Sequence, residues 1–318
     1  MPTIALFGAA GAIGNSIAAA LREQGTPYRV VGRSASALRA AFGGDPLAEI
    51  VTWNPEDPDS VRAAARGIDT IVYLVGVPYT DFQLHPQIIA KTLDGAIAEG
   101  VRHFLLIGTV YPLGVPQAAR VREDHPRNAH TFKGKMRNQQ EEILLEADAA
   151  GRIHGAVLRL PDFYGPRVDR SFVHGAIQAA ANGGRAQMIG PIDTPHEFVF
   201  VPDVGPVVVR LVKEPRAFGR VWHLGGAGII TQREFAERAF AQAGRKPRIF
   251  AAGKTMIRIM GIFSPMMKEF VEMHYLQTSP VIMDDSAIHQ LLGPIHKTSY
   301  DDGIRQSLAA ARAAAKPR

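Results

Sequence analysis

The chain has 318 residues, 46% hydrophobic and 21% charged, the composition of an ordinary globular protein long enough to bury a sizeable core. It contains no cysteine, which excludes disulfides and thiolate metal sites, and no apolar run approaches the roughly 18 residues of a membrane helix. The formal charge of +6 comes from dispersed basic residues with acids among them, so an anionic small molecule accounts for it better than nucleic acid does.

Apolar strands alternate with helix-period segments through the first half, the pattern of a parallel sheet covered on both faces. Ile4–Gly8 reads as the first strand, with a helix from about Ala12 to Gln24 after it. Arg29–Gly32 and Ile50–Trp53 follow as strands, and a helix opens near Asp57–Ser60. Thr70–Val75 is a fully apolar fourth strand, of the kind buried on both sides. A helix from about Pro86 to Glu99 leads to strand five, Phe104–Ile107. A long helix, roughly Phe132 to Ala149, precedes strand six at Gly155–Leu160.

Beyond this point the pattern is less regular. Pro161–Pro166 reads as a loop, Phe172–Ala181 as a helix, and Phe198–Val201 and Val221–Leu224 as short strands. Thr231 can cap a helix from Arg233 to Ala243, and apolar methionine-bearing segments follow at Met256–Met267 and Met273–Met283. The predicted fold is α/β, a Rossmann-type doubly wound parallel sheet with a smaller, mainly C-terminal substrate lobe. Residues 1–165 form the Rossmann core with later elements from 198–225, and the lobe takes 166–197 and 226–310.

Gly8-Ala9-Ala10-Gly11-Ala12-Ile13-Gly14 follows the first strand directly and opens a helix. Glycines allow a tight turn and close backbone approach to a pyrophosphate, and the helix end adds amide donors, so these residues are expected to bind a dinucleotide. The GxxGxxG spacing resembles that of extended and atypical short-chain dehydrogenases/reductases, the epimerase/dehydratase relatives. The resemblance extends to Asn54-Pro55-Glu56-Asp57, to Val75-Gly76-Val77 after strand four, and to Arg159-Leu160-Pro161-Asp162-Phe163-Tyr164-Gly165-Pro166. It implies that Asn54, Val75, Gly76, Val77, Pro161 and Tyr164 lie along the cofactor. A homodimer formed through helices flanking the sheet is a further implication.

Arg33 and Ser34 stand at the end of strand two, where NAD-binding proteins usually carry an acid for the ribose 2′-hydroxyl. A guanidinium there suits a 2′-phosphate, so the expected cofactor is NADP(H) rather than NAD(H).

The family's YxxxK motif is missing; the corresponding stretch begins Thr131-Phe132-Lys133-Gly134-Lys135. At about 100° per residue, Lys133 shares the face of Met136, Ile143, Leu144 and Ala147, whereas Lys135 points away. Lys133 is thus the candidate to reach the cofactor, with Arg137 and Glu141 each one turn further on. This spacing is similar to that of isoflavone- and phenylcoumaran-type reductases, which use a lysine without the tyrosine. Thr109 stands where the family's Ser/Thr polarises a substrate oxygen, and Tyr111 is a candidate for the missing phenol. Tyr79, Tyr111, Arg137, Tyr164 and His196 are the expected substrate-side residues, with His85 a further candidate. No metal-ligand spacing occurs among the 11 histidines.

The leading expectation is an NADP(H)-dependent oxidoreductase acting on a small organic substrate. A non-catalytic NADP(H) sensor and a nucleotide-sugar epimerase/dehydratase with tightly held NAD are the alternatives. Residues 2–7 run straight into the glycine turn with no basic leader, so the expected location is cytoplasmic, with no membrane partner.

Overall fold

Short runs such as Ile-Ala-Leu-Phe at residues 4–7, buried at all four positions, have no polar face and must be covered from both sides. The computed structural model describes residues 3–253, 255–256, 269 and 271–315. The first half runs β1 (Ile4–Phe7), α1 (Ala12–Glu23), β2 (Tyr28–Gly32), α2 (Ala35–Phe42), β3 (Ala48–Thr52), α3 (Pro58–Ala65), β4 (Thr70–Tyr73), α4 (Leu84–Ala98), β5 (His103–Thr109), α5 (Phe132–Ala149) and β6 (His154–Leu160). The second half runs β7 (Asp162–Tyr164), α6 (His174–Asn182), β8 (Ala186–Ile189), β9 (Pro195–Phe200), α7 (Val201–Leu211), β10 (Arg220–His223), β11 (Ile229–Thr231), α8 (Gln232–Gln242), β12 (Ile249–Ala252), α9 (Tyr275–Thr278), α10 (Ser286–Leu292) and α11 (Tyr300–Ala315).

Seven parallel strands form one sheet in the order β3-β2-β1-β4-β5-β6-β10, the doubly wound arrangement expected from the alternation of strands and helices. One face packs Ile17, Leu21, Leu38, Val204 and Val208 from α1, α2 and α7. The other packs Val61, Ile89, Leu93 and Leu144 from α3, α4 and α5. A smaller lobe surrounds a three-stranded sheet, β11-β9-β7, and the pair β12-β8, with Phe198, Phe235, Phe240 and Ile304 in its core.

The second half departs from expectation in detail. The Pro161–Pro166 loop contains β7, whose three residues pair with β9 and are too few to show alternation. The strand expected over Phe198–Val201 is β9, which ends at Phe200, and Val201 already begins α7. Of the later elements, α7 packs on α1 and β10 joins the large sheet, whereas β9 belongs to the small one. Apart from Met256, the apolar stretch 256–267 lies outside the described residues. Among the described residues, no helix is long and apolar enough to cross a membrane.

Candidate active site

β1 delivers the chain to the carboxyl edge of the sheet beside β4, where the strand order reverses, the position at which open α/β sheets bind their ligands. Gly8 turns there with φ +86°, and a β-carbon on it would stand 2.8 Å from the backbone of Leu74 and Val75, so the turn requires glycine. Gly14 is pressed against the Ala9 carbonyl, 2.1 Å from where its β-carbon would be. Gly11, the N-cap of α1, has no neighbouring atom within 4 Å of that position. The loop therefore presents bare backbone. The first turn of α1 has neither a side-chain cap nor an acidic residue, which leaves its N–H groups and positive end to an anion.

Ala10 and Gly11 are exposed, and Ala12 and Ile13 half-buried. Arg33 is exposed just past β2 and pairs with no carboxylate among the described residues. Ser34 caps α2, its hydroxyl accepting from the Ala37 amide at 3.2 Å and lying 3.0 Å from the Ser36 hydroxyl. Asn54 shapes the loop after β3, its side-chain oxygen accepting from the Glu56 amide at 3.1 Å. Val75 is buried, Gly76 exposed and Val77 half-buried after β4, and Pro161 is buried at the end of β6.

α5 is capped by Thr131, whose hydroxyl accepts from the Gly134 amide at 3.0 Å. Lys133 is fully buried and Lys135 exposed, as the helical period requires. Lys133 Nζ donates to Glu272 at 2.6 Å and to Glu269, and the Lys133 amide donates to Glu272 at 2.8 Å. The ammonium also lies 5.5 Å from the Tyr79 ring centroid and 5.7 Å from that of Phe82. Four residues before Lys133, where the motif would place its tyrosine, stands Ala129. The phenol beside the lysine is instead that of Tyr79, from the loop after β4.

Tyr79 and Tyr111 place their hydroxyls 2.6 Å apart, and the Tyr111 amide donates to Thr109 Oγ1 at 3.3 Å. Burial raises the pKa of both phenols, that of Tyr111 well above the ordinary range. Thr109, Tyr111, Tyr79 and Lys133 thus gather beyond the carboxyl ends of β4 and β5. Asp162 belongs to the same region, since its charge acts on both tyrosines. Burial pushes this carboxyl up to about 6, although it accepts from the Phe172 amide at 2.9 Å and Ser171 at 3.2 Å. Glu269, Glu272 and Asp162 escaped the sequence reading. The two glutamates reach Lys133 from a segment far away in the chain, with no local signal, whereas Asp162 sits inside the segment that carries the family resemblance.

Three of the expected substrate-side residues are buried, with partners inside the protein. Arg137 is 7% exposed and donates to His85 Nδ1 at 3.2 Å and to the Ile107 carbonyl at 3.3 Å, so it ties α5 to α4 and β5. His85, accepting at Nδ1, is kept neutral by burial and by the Arg137 charge. Tyr164 is 2% exposed and packs on Phe200, Phe235 and Tyr300 in the small-lobe core, because its ring points to the inner face of β7. His196 is 4% exposed, its ring nitrogens 2.9 Å from the Thr194 carbonyl and 3.1 Å from that of Leu276. Glu141 does not join Arg137 but grips Arg159 with both oxygens, at 2.6 and 3.0 Å.

Residues 4–225 match the NAD dependent epimerase/dehydratase family. The chain belongs to that family. It is an epimerase/dehydratase-like enzyme, and the bare glycine cradle at Gly8, Gly11 and Gly14 fits the dinucleotide that the family name implies. This epimerase/dehydratase-family chain is similar to the dTDP-6-deoxy-L-talose 4-dehydrogenase (NAD(P)(+)) of Kitasatospora kifunensis, 27% identical over 260 residues that cover 76% of this chain and 79% of that protein. Its fold is shared by the UDP-glucuronic acid 4-epimerase of Bacillus cereus in complex with NAD, at a TM-score of 0.79 and 16% identity over 98% of this chain and 99% of that one. A dTDP-glucose 4,6-dehydratase of Streptomyces venezuelae with NAD and TYD bound gives a TM-score of 0.80 and 17% identity, over 98% and 97% of the two chains.

Proposed function

We propose that this enzyme is an NADP(H)-dependent oxidoreductase that interconverts a carbonyl and an alcohol on a small organic substrate. The observation that carries the cofactor preference is Arg33, exposed and unpaired by any described carboxylate, beside the N-terminus of α2. A 2′-phosphate there meets a guanidinium and a positive helix end, whereas a bare 2′-hydroxyl finds no acid to accept its proton. The bound cofactor supplies or takes up the hydride. Thr109 orients the substrate oxygen, and Tyr111, backed by Tyr79, moves the proton at that oxygen. Lys133, lying 5.5 Å from the Tyr79 ring centroid, helps to hold that phenol against Tyr111. The kinship with a 4-dehydrogenase acting on a nucleotide-linked deoxysugar supports this type of reaction.

The test is a parallel titration of protein freed of bound nucleotide with NADPH, NADP+, NADH and NAD+. NADPH is expected to bind at least about tenfold tighter than NADH, about 1.4 kcal/mol. Arg33→Ala should abolish most of that difference and leave NADH binding unchanged; equal affinities in the unaltered enzyme would defeat the preference. A second reading, a nucleotide-sugar epimerase or dehydratase that recycles its cofactor in place, is favoured by the family match. NAD+ that co-purifies and refuses exchange would bring that reading forward.

A further inference from the structure

Among the described residues, Arg167 alone combines a side chain with a positive φ, +64°. L-residues avoid that conformation because Cβ crowds the following carbonyl. Arg167 follows the Pro166 turn after β7, and its exposed side chain reaches from there across to α1. Nη1 donates to Asn15 Oδ1 at 3.2 Å. Asn15 in turn folds over the glycine loop, its Nδ2 donating to the carbonyls of Gly11 at 2.9 Å and Ala10 at 3.3 Å.

The guanidinium is therefore one side chain away from the loop backbone, beside the first turn of α1. A cation at that end of a helix is opposed by the helix dipole. No described carboxylate offsets it, and its Nε and Nη2 have no described partner. Both the backbone conformation and the electrostatics are thus unfavourable for the protein alone. An anion seated between the loop amides and the guanidinium reverses the electrostatic part, because it attracts the helix end and the arginine together. Arg33 stands on the other flank of the same loop, past β2.

We propose that Arg167 is a cofactor-binding residue that pairs with the dinucleotide pyrophosphate from the small-lobe side, complementing Arg33 at the adenosine ribose. This rests on the dinucleotide reading given above. Because Asn15 belongs to the large sheet's first helix and Arg167 follows the first strand of the small sheet, the pyrophosphate would be gripped from both units.

Calorimetric titration of the full chain with NADP+, NAD+, ADP-ribose and adenosine 2′-monophosphate tests the assignment without any substrate. Arg167→Ala should weaken NADP+, NAD+ and ADP-ribose by a common factor of about ten, roughly 1.4 kcal/mol, and leave adenosine 2′-monophosphate unchanged. Arg167→Lys, which keeps the charge but not the planar fork, should fall between. Arg167→Gly relieves the left-handed conformation, so it should bind as weakly as the alanine variant while melting at a higher temperature than the unaltered protein. This separates lost binding from lost folding. Affinities of Arg167→Ala within twofold of the unaltered chain would overturn the assignment, as would a loss confined to NADP+. An unaltered chain that binds neither dinucleotide would overturn the dinucleotide reading itself, and this assignment with it.

Discussion

Glu141 and Arg159 are a carboxylate and a guanidinium with side chains 2% and 1% exposed, held by two hydrogen bonds. Arg159 also lies 3.5 Å from His223 Nε2, and His223 donates from Nδ1 to the Val121 carbonyl at 3.0 Å. Removing one partner of such a pair leaves an uncompensated charge in a dry interior, at a cost of about 3–5 kcal/mol. Glu141→Gln should therefore lower the unfolding free energy read from urea titration by an amount of that order, whereas Glu141→Leu combined with Arg159→Met should lose less. At this scale the helical period separated Lys133 from Lys135 correctly. It could not show which neighbours the cations on that face would meet. Arg137 lies on the expected side of α5, but β5 and α4 supply its partners, and those contacts depend on tertiary packing rather than on spacing along one helix.

Helix α1 owes its position to α7. Ser16 donates to the Pro202 carbonyl at 3.1 Å and accepts from the Gly205 amide at 3.0 Å, and a β-carbon on Gly205 would stand 2.2 Å from the Ser16 carbonyl oxygen. Alanine is the better helix former by about 1 kcal/mol. Overpacking against backbone costs about 1–3 kcal/mol, and backbone cannot rotate away. The clash should win, so Gly205→Ala is expected to lower the melting temperature, and by tilting α1 to weaken dinucleotide binding as well. Unchanged melting would show that the two helices separate freely. Strands such as β1 and β4 were legible because each is a run buried along its whole length, and α5 because its length covers several turns. β7, β8 and β12 were not, since three or four residues carry too little pattern and their pairing partners lie far along the chain.

Across the whole molecule, Glu197 joins β9 to two distant segments, accepting from the Gly226 amide at 3.1 Å and the Met283 amide at 3.0 Å. Burial pushes its carboxyl up from 4.5 to about 7. A folded value above the unfolded one means that this contribution to stability is complete below about pH 4.5 and is lost as pH rises through 7. Asp162, raised from 3.8 to about 6, acts in the same direction. His223, lowered by burial from 6.5 to about 4, acts in the opposite one, its contribution full above 6.5 and lost as pH falls through 4. Comparing Glu197→Gln with the unaltered protein cancels the other groups. The variant should gain relative stability between about pH 4.5 and 7, and a difference independent of pH would show that Glu197 does not titrate in that interval. The small lobe that Glu197 ties together was the least legible part, because its core is collected from β7, α6, β9, α8 and α11 rather than from one stretch of sequence.

The packing of α1 on α7 also sets a timetable. Residues 12–23 are made well before their cover at 201–211, and the sheet gains its edge strand only at 220–223. At about 5–20 residues per second, the nascent chain carries the uncovered face of α1, with Ile17 and Leu21, for roughly ten to thirty-five seconds. The glycine loop and α1 are synthesised well before the elements that complete their packing, so slowed or interrupted translation would release chains with an apolar face and an open sheet edge, both prone to aggregation.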